Sequence, residues 1–544
     1  MRTLVLSLDG GDYELISSLV KQGRMPTLSR LAREGTFGPL ESTIPAVTPT
    51  AWSSFLTGLN PAGHGIFNFA SNPNRDRQRV ESAASRSGTP LWRYLGRAGV
   101  RSAFVSIPFT YPPEDIAGLV VTGYGGPDHP AITPPRMREC VHAVHPDYLT
   151  AHHPFAERWW EDFDGYARKL LNHVEQTADI CRIALELEPD LALLCVNFMS
   201  ADHAGHLGYH RLDENHPAHD PAFAGDELIQ VYEAVDQACA DLIDDAEQRF
   251  GEPVNAIMMS DHGMKPIYWT FHANHWLAEN GHLRYRQRSL QSWKGSRADY
   301  LSKVDQRLAR TTRWYSGLLD TVPGLPRPQP NRVFADVDFS STRAYCFATG
   351  GQIFLGETSG ARTDTRYAER LAEELGAIPH PETGEPVFTV LRRDDIYHGT
   401  HIDKAPDLMI LPRDERIHVE SSRRSWPAAL EVHDHLDPEN FYGYSGHHGQ
   451  QGVFAAAGPG IRAAELPSGA NIVQLPATLL ALAGLAAPGM DGEPLYEILE
   501  IEESSEITVT SASQSAAPAS GAERAYSEDE EAQIVERLRD LGYE

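Results

Sequence analysis

Short apolar runs that stop at acidic turns alternate along this chain with stretches whose apolar residues recur every three or four positions. Thr3 to Leu8 is leucine-rich and β-branched and ends at Asp9-Gly10-Gly11, which predicts a buried parallel strand delivering a carboxylate at its C-terminal end. Tyr13 to Gln22 and Met25 to Glu34 have helical spacing, the second closed by Gly35. Leu91 to Ala98 reads as a helix and Ser102 to Ile107 as a strand. A long amphipathic helix, Trp159 to Glu188, leads into a strand at Leu191 to Val196 and then a polar turn, Asn197 to His210. Asp226 to Phe250 is helical and precedes a strand, Val254 to Met259, that ends at Ser260-Asp261-His262-Gly263. Gly452 to Ala457 is the last strand and Ile472 to Leu485 a final core helix containing Pro476. This alternation predicts an α/β fold with a layered, mostly parallel sheet between helices.

Two regions break the rhythm. Residues 125–154, rich in His and Pro, read as an insertion over one sheet edge, and residues 265–340, rich in aromatic residues and Arg, as an inserted cap or lid. Tyr345 to Leu355 and Leu408 to Leu411 return to strand character. Residues 500–526 have the composition of a flexible acidic linker. Residues 527–544 then predict a short amphipathic helix, with a capping box at Ser527 and Glu530 and with Ile534, Leu538 and Leu541 on one face. Residues 1–499 are expected to form one catalytic domain.

Composition narrows the picture. A chain of 544 residues with 41% hydrophobic and 22% charged residues can bury a large core, and no apolar run is long enough to span a bilayer. The net charge of -28 argues against binding nucleic-acid backbone or an anionic membrane. The first residues lack the features of a secretory signal, and the five cysteines are scattered without paired spacing, so a cytoplasmic protein with reduced thiols is expected.

The candidate chemistry begins at Ala46 to Gly65. Thr48 precedes Pro49 and an N-cap-type Thr50, after which Ala51 to Leu56 reads as a short helix closed by Gly58. An anion attacked by the Thr48 hydroxyl would meet free backbone N–H groups at a helix start. On their own, both threonines could be ordinary caps. Elsewhere, however, predicted strands end at Asp9, at Asp202 with His206, and at Asp261 with His262, and His448 precedes the last strand. At one edge of one sheet these groups would face each other and need cations to offset their repulsion. Asp and His without thiolates suit Zn²⁺, Mn²⁺ or Fe, and six ligands match two ions. Two ions roughly 4 Å apart form the clamp used for in-line displacement at phosphorus, with Thr48 as the nucleophile.

The motifs LSLDGGD at Asp9, VTPTAWSSFLTGLNPAGHGI at Thr48, DHAGH at Asp202, SDHGM at Asp261 and GHHGQQGVFAAAGPGI at His448 resemble, in order, the type I phosphodiesterase and nucleotide pyrophosphatase branch of the alkaline phosphatase superfamily. The resemblance spans about Arg2 to Leu499 and implies an alkaline-phosphatase-like fold with two divalent ions, Zn²⁺ first and Mn²⁺ second. It implies one metal site from Asp202, His206 and His448 and another from Asp9, Asp261, His262 and the Thr48 hydroxyl. Asn68 approximately matches the family's phosphate-binding Asn. His448 is preferred to His447 because its spacing to Gly452 fits the family's His-x-x-x-Gly. Where the nucleotide pyrophosphatases carry Pro-Asn-His after the nucleophile, this chain has Thr50, Ala51 and Trp52, a departure that speaks against a nucleotide substrate.

The expected activity is therefore metal-dependent hydrolysis of a small-molecule phosphate diester, or a related phosphorus ester, through a covalent phospho-Thr48 intermediate. Two alternatives remain open at this level. One is a phosphotransferase of the phosphoglycerate mutase type, and the other a non-catalytic, metal-stabilised module whose C-terminal helix recruits a partner.

Overall fold

The computed structural model describes residues 2–72, 80–153, 159, 162–286, 337–421, 428–436 and 443–500, together with 526, 527, 530, 531, 533 and 534. Its centre is an eight-stranded sheet in the order β2-β17-β7-β1-β6-β3-β4-β5. These strands are β1 (Thr3–Leu8), β2 (Thr36–Glu41), β3 (Arg101–Ile107), β4 (Gly118–Thr122), β5 (Ile132–Thr133), β6 (Leu191–Phe198), β7 (Asn255–Met259) and β17 (Gln451–Ala457). β7, β1, β6, β3 and β4 are parallel, whereas β17 runs antiparallel to both β2 and β7. This is the mostly parallel α/β architecture of the alkaline phosphatase type.

Strand alternation divides the apolar residues between two cores. Leu4, Leu6 and Leu8 of β1 join Leu194, Val196 and Phe198 of β6 on one face, packed under the helices Tyr13–Lys21, Pro26–Glu34, Phe163–Leu187 and Glu227–Phe250. Val5, Leu193 and Cys195 face the other way, against Trp52, Phe55 and Leu56 of the Thr48–Thr57 helix and Leu479 and Leu480 of the Leu475–Leu482 helix. With both faces covered, the central strands have to be apolar throughout, which is why they read as unbroken runs.

Several expected elements take a different form. The polar turn after β6 is instead a buried helix, Ser200–Leu212. Its two glycines and three histidines argue against a helix by propensity, but packing against the Glu227–Phe250 helix overrides that preference. The long helix expected from Trp159 starts at Phe163, capped by Asp162, whose carboxylate accepts from Gly165 N–H. Tyr345 to Leu355 is a hairpin of β10 (Ala344–Cys346) and β11 (Gln352–Leu355), broken at Gly350-Gly351, both with positive φ. Pro476 lies in the first turn of its helix, which begins at Leu475 after a 3₁₀ turn, because proline lacks the N–H an interior position would use. β2 has no clear strand pattern in the sequence because Gly38 and Pro39 hide its alternation; at the sheet's edge a proline is tolerated.

Residues 265–286, where the inserted cap or lid was expected to begin, are instead part of the body. Here β8 (Gly263–Pro266) pairs with β16 (Gly446–Gly449), and β9 (Trp269–His272) lies between β14 (Ile417–Glu420) and β15 (Leu430–Val432). The rest of that lid, residues 287–336, lies outside the described residues. β12 (Phe388–Arg392) and β13 (Leu408–Pro412) complete a four-stranded antiparallel sheet with β10 and β11. In the 125–154 insertion, β5 pairs with β4 at the end of the main sheet. Among the described residues no helix is long and apolar enough to cross a membrane.

Of the expected linker, residues 500–526, only Glu500 and Tyr526 are described, and most of the C-terminal helix also lies outside the described residues. The described part of the tail is docked on the body. Tyr526 is buried, stacks on Tyr111 with ring centroids 5.4 Å apart, and donates its hydroxyl to the carbonyl of Gly125 at 2.8 Å. Ser527 and Glu530 make the capping-box contacts their spacing predicts. Tyr526→Ala is expected to weaken this docking by about 2 kcal/mol, read by limited proteolysis as faster release of the C-terminal segment. An unchanged cleavage rate would show that the ring does not hold the tail.

Candidate functional site

The C-terminal ends of β1, β6 and β7 lie side by side, with Leu8 paired to Phe198 and Ser7 to Met259. Asp9, the helix bearing Asp202, and Asp261-His262 therefore emerge at one edge of the sheet. β2 ends at this edge and leads to Thr48. Because β17 runs against its neighbours, it starts at this edge too, which brings in His448 from the strand just before it.

Each element places its side chains by its own period. On the Ser200–Leu212 helix, Asp202 and His206 are four residues apart and share a face. In β16 neighbouring side chains alternate. His448 faces Asp202, with Nε2 3.4 Å from Oδ1, while His447 turns away and donates through Nε2 to the Glu415 carbonyl at 2.7 Å. β16 is seated directly against the helix: a Cβ on Gly446 would lie 2.3 Å from the Gly205 carbonyl oxygen, so only glycine allows this approach. Gly10, at φ 66°, turns the chain after Asp9 and donates its N–H to Asp261 Oδ1 at 3.3 Å.

Two groups of side chains result, Asp202 with His206 and His448, and Asp9 with Asp261 and His262. Within each, the ligand-type atoms lie within 4.8 Å of one another. Each imidazole sets its Nδ1 against a backbone carbonyl: His206 on Gly446 at 2.8 Å, His448 on Ala46 at 3.1 Å and His262 on Gly263 at 3.0 Å. A carbonyl requires a proton on Nδ1, so in the neutral rings each Nε2 carries a bare lone pair directed into the site. The Nε2 atoms of His206 and His448 are only 3.1 Å apart.

Three buried carboxylate oxygens, Asp9 Oδ1, Asp202 Oδ1 and Asp261 Oδ2, have no hydrogen-bond partner among the described residues. Burial, together with Asp261 and Asp202, pushes Asp9 well above the usual carboxylate range, and burial with Asp202 raises Asp261. Burial also opposes ionisation of Asp202, but His206 and His448, where protonated, outweigh it and hold that carboxyl below its ordinary value. Burial lowers His262 to about 4 and lowers His206 and His448. Orphaned carboxylate oxygens converging with bare imidazole lone pairs form a donor set that fits divalent cations such as Zn²⁺ or Mn²⁺.

Thr48 is the first residue of its helix, buried, with its hydroxyl 3.2 Å from His262 Nε2. The helix begins earlier than its capping pattern predicts. Val47, in extended conformation, occupies the N-cap position, and Pro49 fits the first turn. Thr50 is thus not a cap, and its N–H bonds to the Val47 carbonyl at 3.0 Å, so fewer N–H groups face the Thr48 hydroxyl than the sequence suggests. Asn68 is not brought to the two groups by any described contact. It lines a smaller cavity with Phe67, Phe347 and Glu81 and accepts from Phe69 N–H at 2.7 Å.

Three residues of the site carry no functional signal in the sequence. Trp52 Nε1 and Asn197 Nδ2 both donate to Asp9 Oδ2, at 3.3 and 2.7 Å, and so hold the carboxylate. Trp52, one helical turn after Thr48, and Asn197, near the end of β6, carried signals only in hindsight of the strand order. Tyr444, stacked on His206 with centroids 4.5 Å apart, was signalled by nothing.

The family profile described as type I phosphodiesterase / nucleotide pyrophosphatase matches residues 3–449. No curated protein matches the chain in sequence. Among solved structures, murine ectonucleotide pyrophosphatase / phosphodiesterase 5, as an inactive variant in complex with AMP, is 15% identical, with 92% of this chain and 100% of that chain covered and a TM-score of 0.50. The human protein of the same name is 14% identical with the same coverage and a TM-score of 0.48.

Metal analysis tests the two groups separately. His448→Ala is expected to lose one of two bound ions, whereas His447→Ala keeps both. The reverse result would exchange their roles. Asn197→Leu, which removes a donor from Asp9 while leaving every ligand-type side chain in place, is expected to weaken metal binding roughly 10- to 100-fold, measured by competition with a chromogenic chelator.

Proposed function

The chain belongs to the type I phosphodiesterase / nucleotide pyrophosphatase family, and on that footing we propose that it hydrolyses phosphate diesters or related phosphorus esters, with Thr48 as nucleophile. Asp202, His206 and His448 would hold one divalent cation, and Asp9, Asp261 and His262 the other, Zn²⁺ before Mn²⁺. Such cations would lower the pKa of the attacking hydroxyl and offset negative charge on the phosphoryl oxygens.

The observation that carries this reading is the Thr48 hydroxyl itself, buried at the start of a helix and 3.2 Å from one imidazole of a metal-competent group. A structural metal site has no use for a hydroxyl there. In the reaction, Thr48 Oγ1 loses its proton and forms a bond to phosphorus while the bond from phosphorus to the departing oxygen breaks, and the alcohol leaves with a proton. Water then cleaves the Oγ1–P bond, regenerating Thr48 and releasing the monoester.

The murine relative's structure holds AMP. In this chain Ala51 and Trp52 are fully buried, with the Trp52 N–H committed to Asp9, so neither faces a nucleobase. That supports a non-nucleotide ester as substrate. Five free cysteines suit the cytoplasmic setting expected from composition.

The test uses purified protein, stripped of metal and restored separately with Zn²⁺ and Mn²⁺, against bis(4-nitrophenyl) phosphate and the matching monoester. The expected result is metal-restored release of 4-nitrophenol from the diester, reduced roughly 10³-fold or more in Thr48→Ala with both ions still bound. Isomerisation of a sugar phosphate without release of any alcohol would overturn the hydrolase reading in favour of a phosphotransferase.

A further inference from the structure

Beside the site lies a cleft of about 330 Å³. Its walls come from the segment before Thr48 and from the region of β13, β14 and β16; the aliphatic side chains of Pro45, Val47, Ile410, Leu411, Ile417 and Val419 give them more apolar than polar surface, beside the imidazoles of His206, His418, His447 and His448. No Lys or Arg is among the described residues that line it, and Glu415 is the one carboxylate. Both oxygens of Glu415 are already engaged, one 3.5 Å from Lys265 Nζ and the other accepting from Gln450 N–H at 3.3 Å. The cleft therefore offers a ligand apolar surface and little charge.

Its position relative to the two groups is unequal. His206 and His448 line it, but Thr48, Asp9, Asp261 and His262 do not. In an in-line displacement the departing oxygen lies opposite the nucleophile. Thr48 sits with His262, so the departing oxygen points toward Asp202, His206 and His448, the side on which the cleft opens.

We propose that this cleft receives the departing alcohol of the substrate, and that this alcohol is an apolar alkyl or alkylaryl group rather than a sugar or a second phosphate. The proposal rests on the hydrolase reading for which side departs. Its chemistry rests on the lining alone: a further phosphate would meet no Lys or Arg among the described lining residues, while each buried methylene would gain from leaving water.

Two measurements separate this proposal from the reading it builds on. Calorimetric titration of the metal-restored protein with phenol and its 4-ethyl, 4-butyl and 4-hexyl derivatives should show Kd falling roughly threefold to fourfold per methylene until the cleft is full. Leu411→Asn, on the cleft wall, and Thr389→Trp, which fills the cleft from an exposed strand position, should flatten that dependence. Two variants are used because the exposed position 389 tolerates change even if Leu411→Asn fails to fold. Turnover of methyl 4-alkylphenyl phosphates, whose leaving phenols have nearly equal pKa, should show the same trend in kcat/KM. Binding that ignores chain length, or a dependence that survives both substitutions, overturns the assignment of the cleft. Alkylphenols that bind with the expected trend without any phenol being released from the diesters would leave the apolar cleft standing and sink the hydrolase reading instead.

Discussion

Three carboxylates buried at one sheet edge repel one another, and the rest of the site is arranged around holding them there. Asp9 is fixed by two side-chain N–H donors and Asp261 by a backbone N–H, each on one oxygen, leaving the other oxygen bare. Satisfying both oxygens of each would have made a closed and inert polar core. Half-satisfied carboxylates of this kind are expensive in a folded protein. Here the expense is concentrated where bare imidazole nitrogens converge with them, the arrangement a pair of cations would discharge.

Much of this was legible in the sequence because a doubly covered parallel strand has a strong local signature. Asp9 and Asp261 could be placed at strand ends because the apolar runs of β1 and β7 stop so abruptly before them. Asp202 and His206 were recognisable as ligand types, but not as one face of a helix, because local propensity opposes a helix there and only burial imposes it. The separation of His447 from His448 follows from alternation once β16 is extended. The start of the Thr48 helix was misjudged since Thr50 looks like a cap and Val47 does not. Trp52, Asn197 and Tyr444 act through neighbours that are distant in sequence, and no window along the chain contains both partners.

The two kinds of sheet divide their tasks. The parallel strands, buried on both faces, hold the charged groups at fixed spacing. The smaller sheets β10-β11-β13-β12 and β14-β9-β15 supply the aliphatic wall beside them through Ile410, Leu411, Ile417 and Val419. A change of substrate could be built by repacking that wall without disturbing the carboxylates, as expected when chemistry sits on a rigid scaffold and selectivity on its surroundings.

The antiparallel strand β17 has a consequence for how the molecule comes to exist. It is inserted between β2 and β7, so a strand from positions 36–41 can reach the sheet only after one from positions 451–457 has been made. During synthesis, β7 presents an unpaired edge while more than half the chain has already emerged, a state open to pairing with other chains. His448, in β16, emerges just ahead of that strand. The step that seals the sheet therefore also completes the donor set, and any cation it captures would bind late, reporting a finished fold rather than serving as a scaffold on which folding begins.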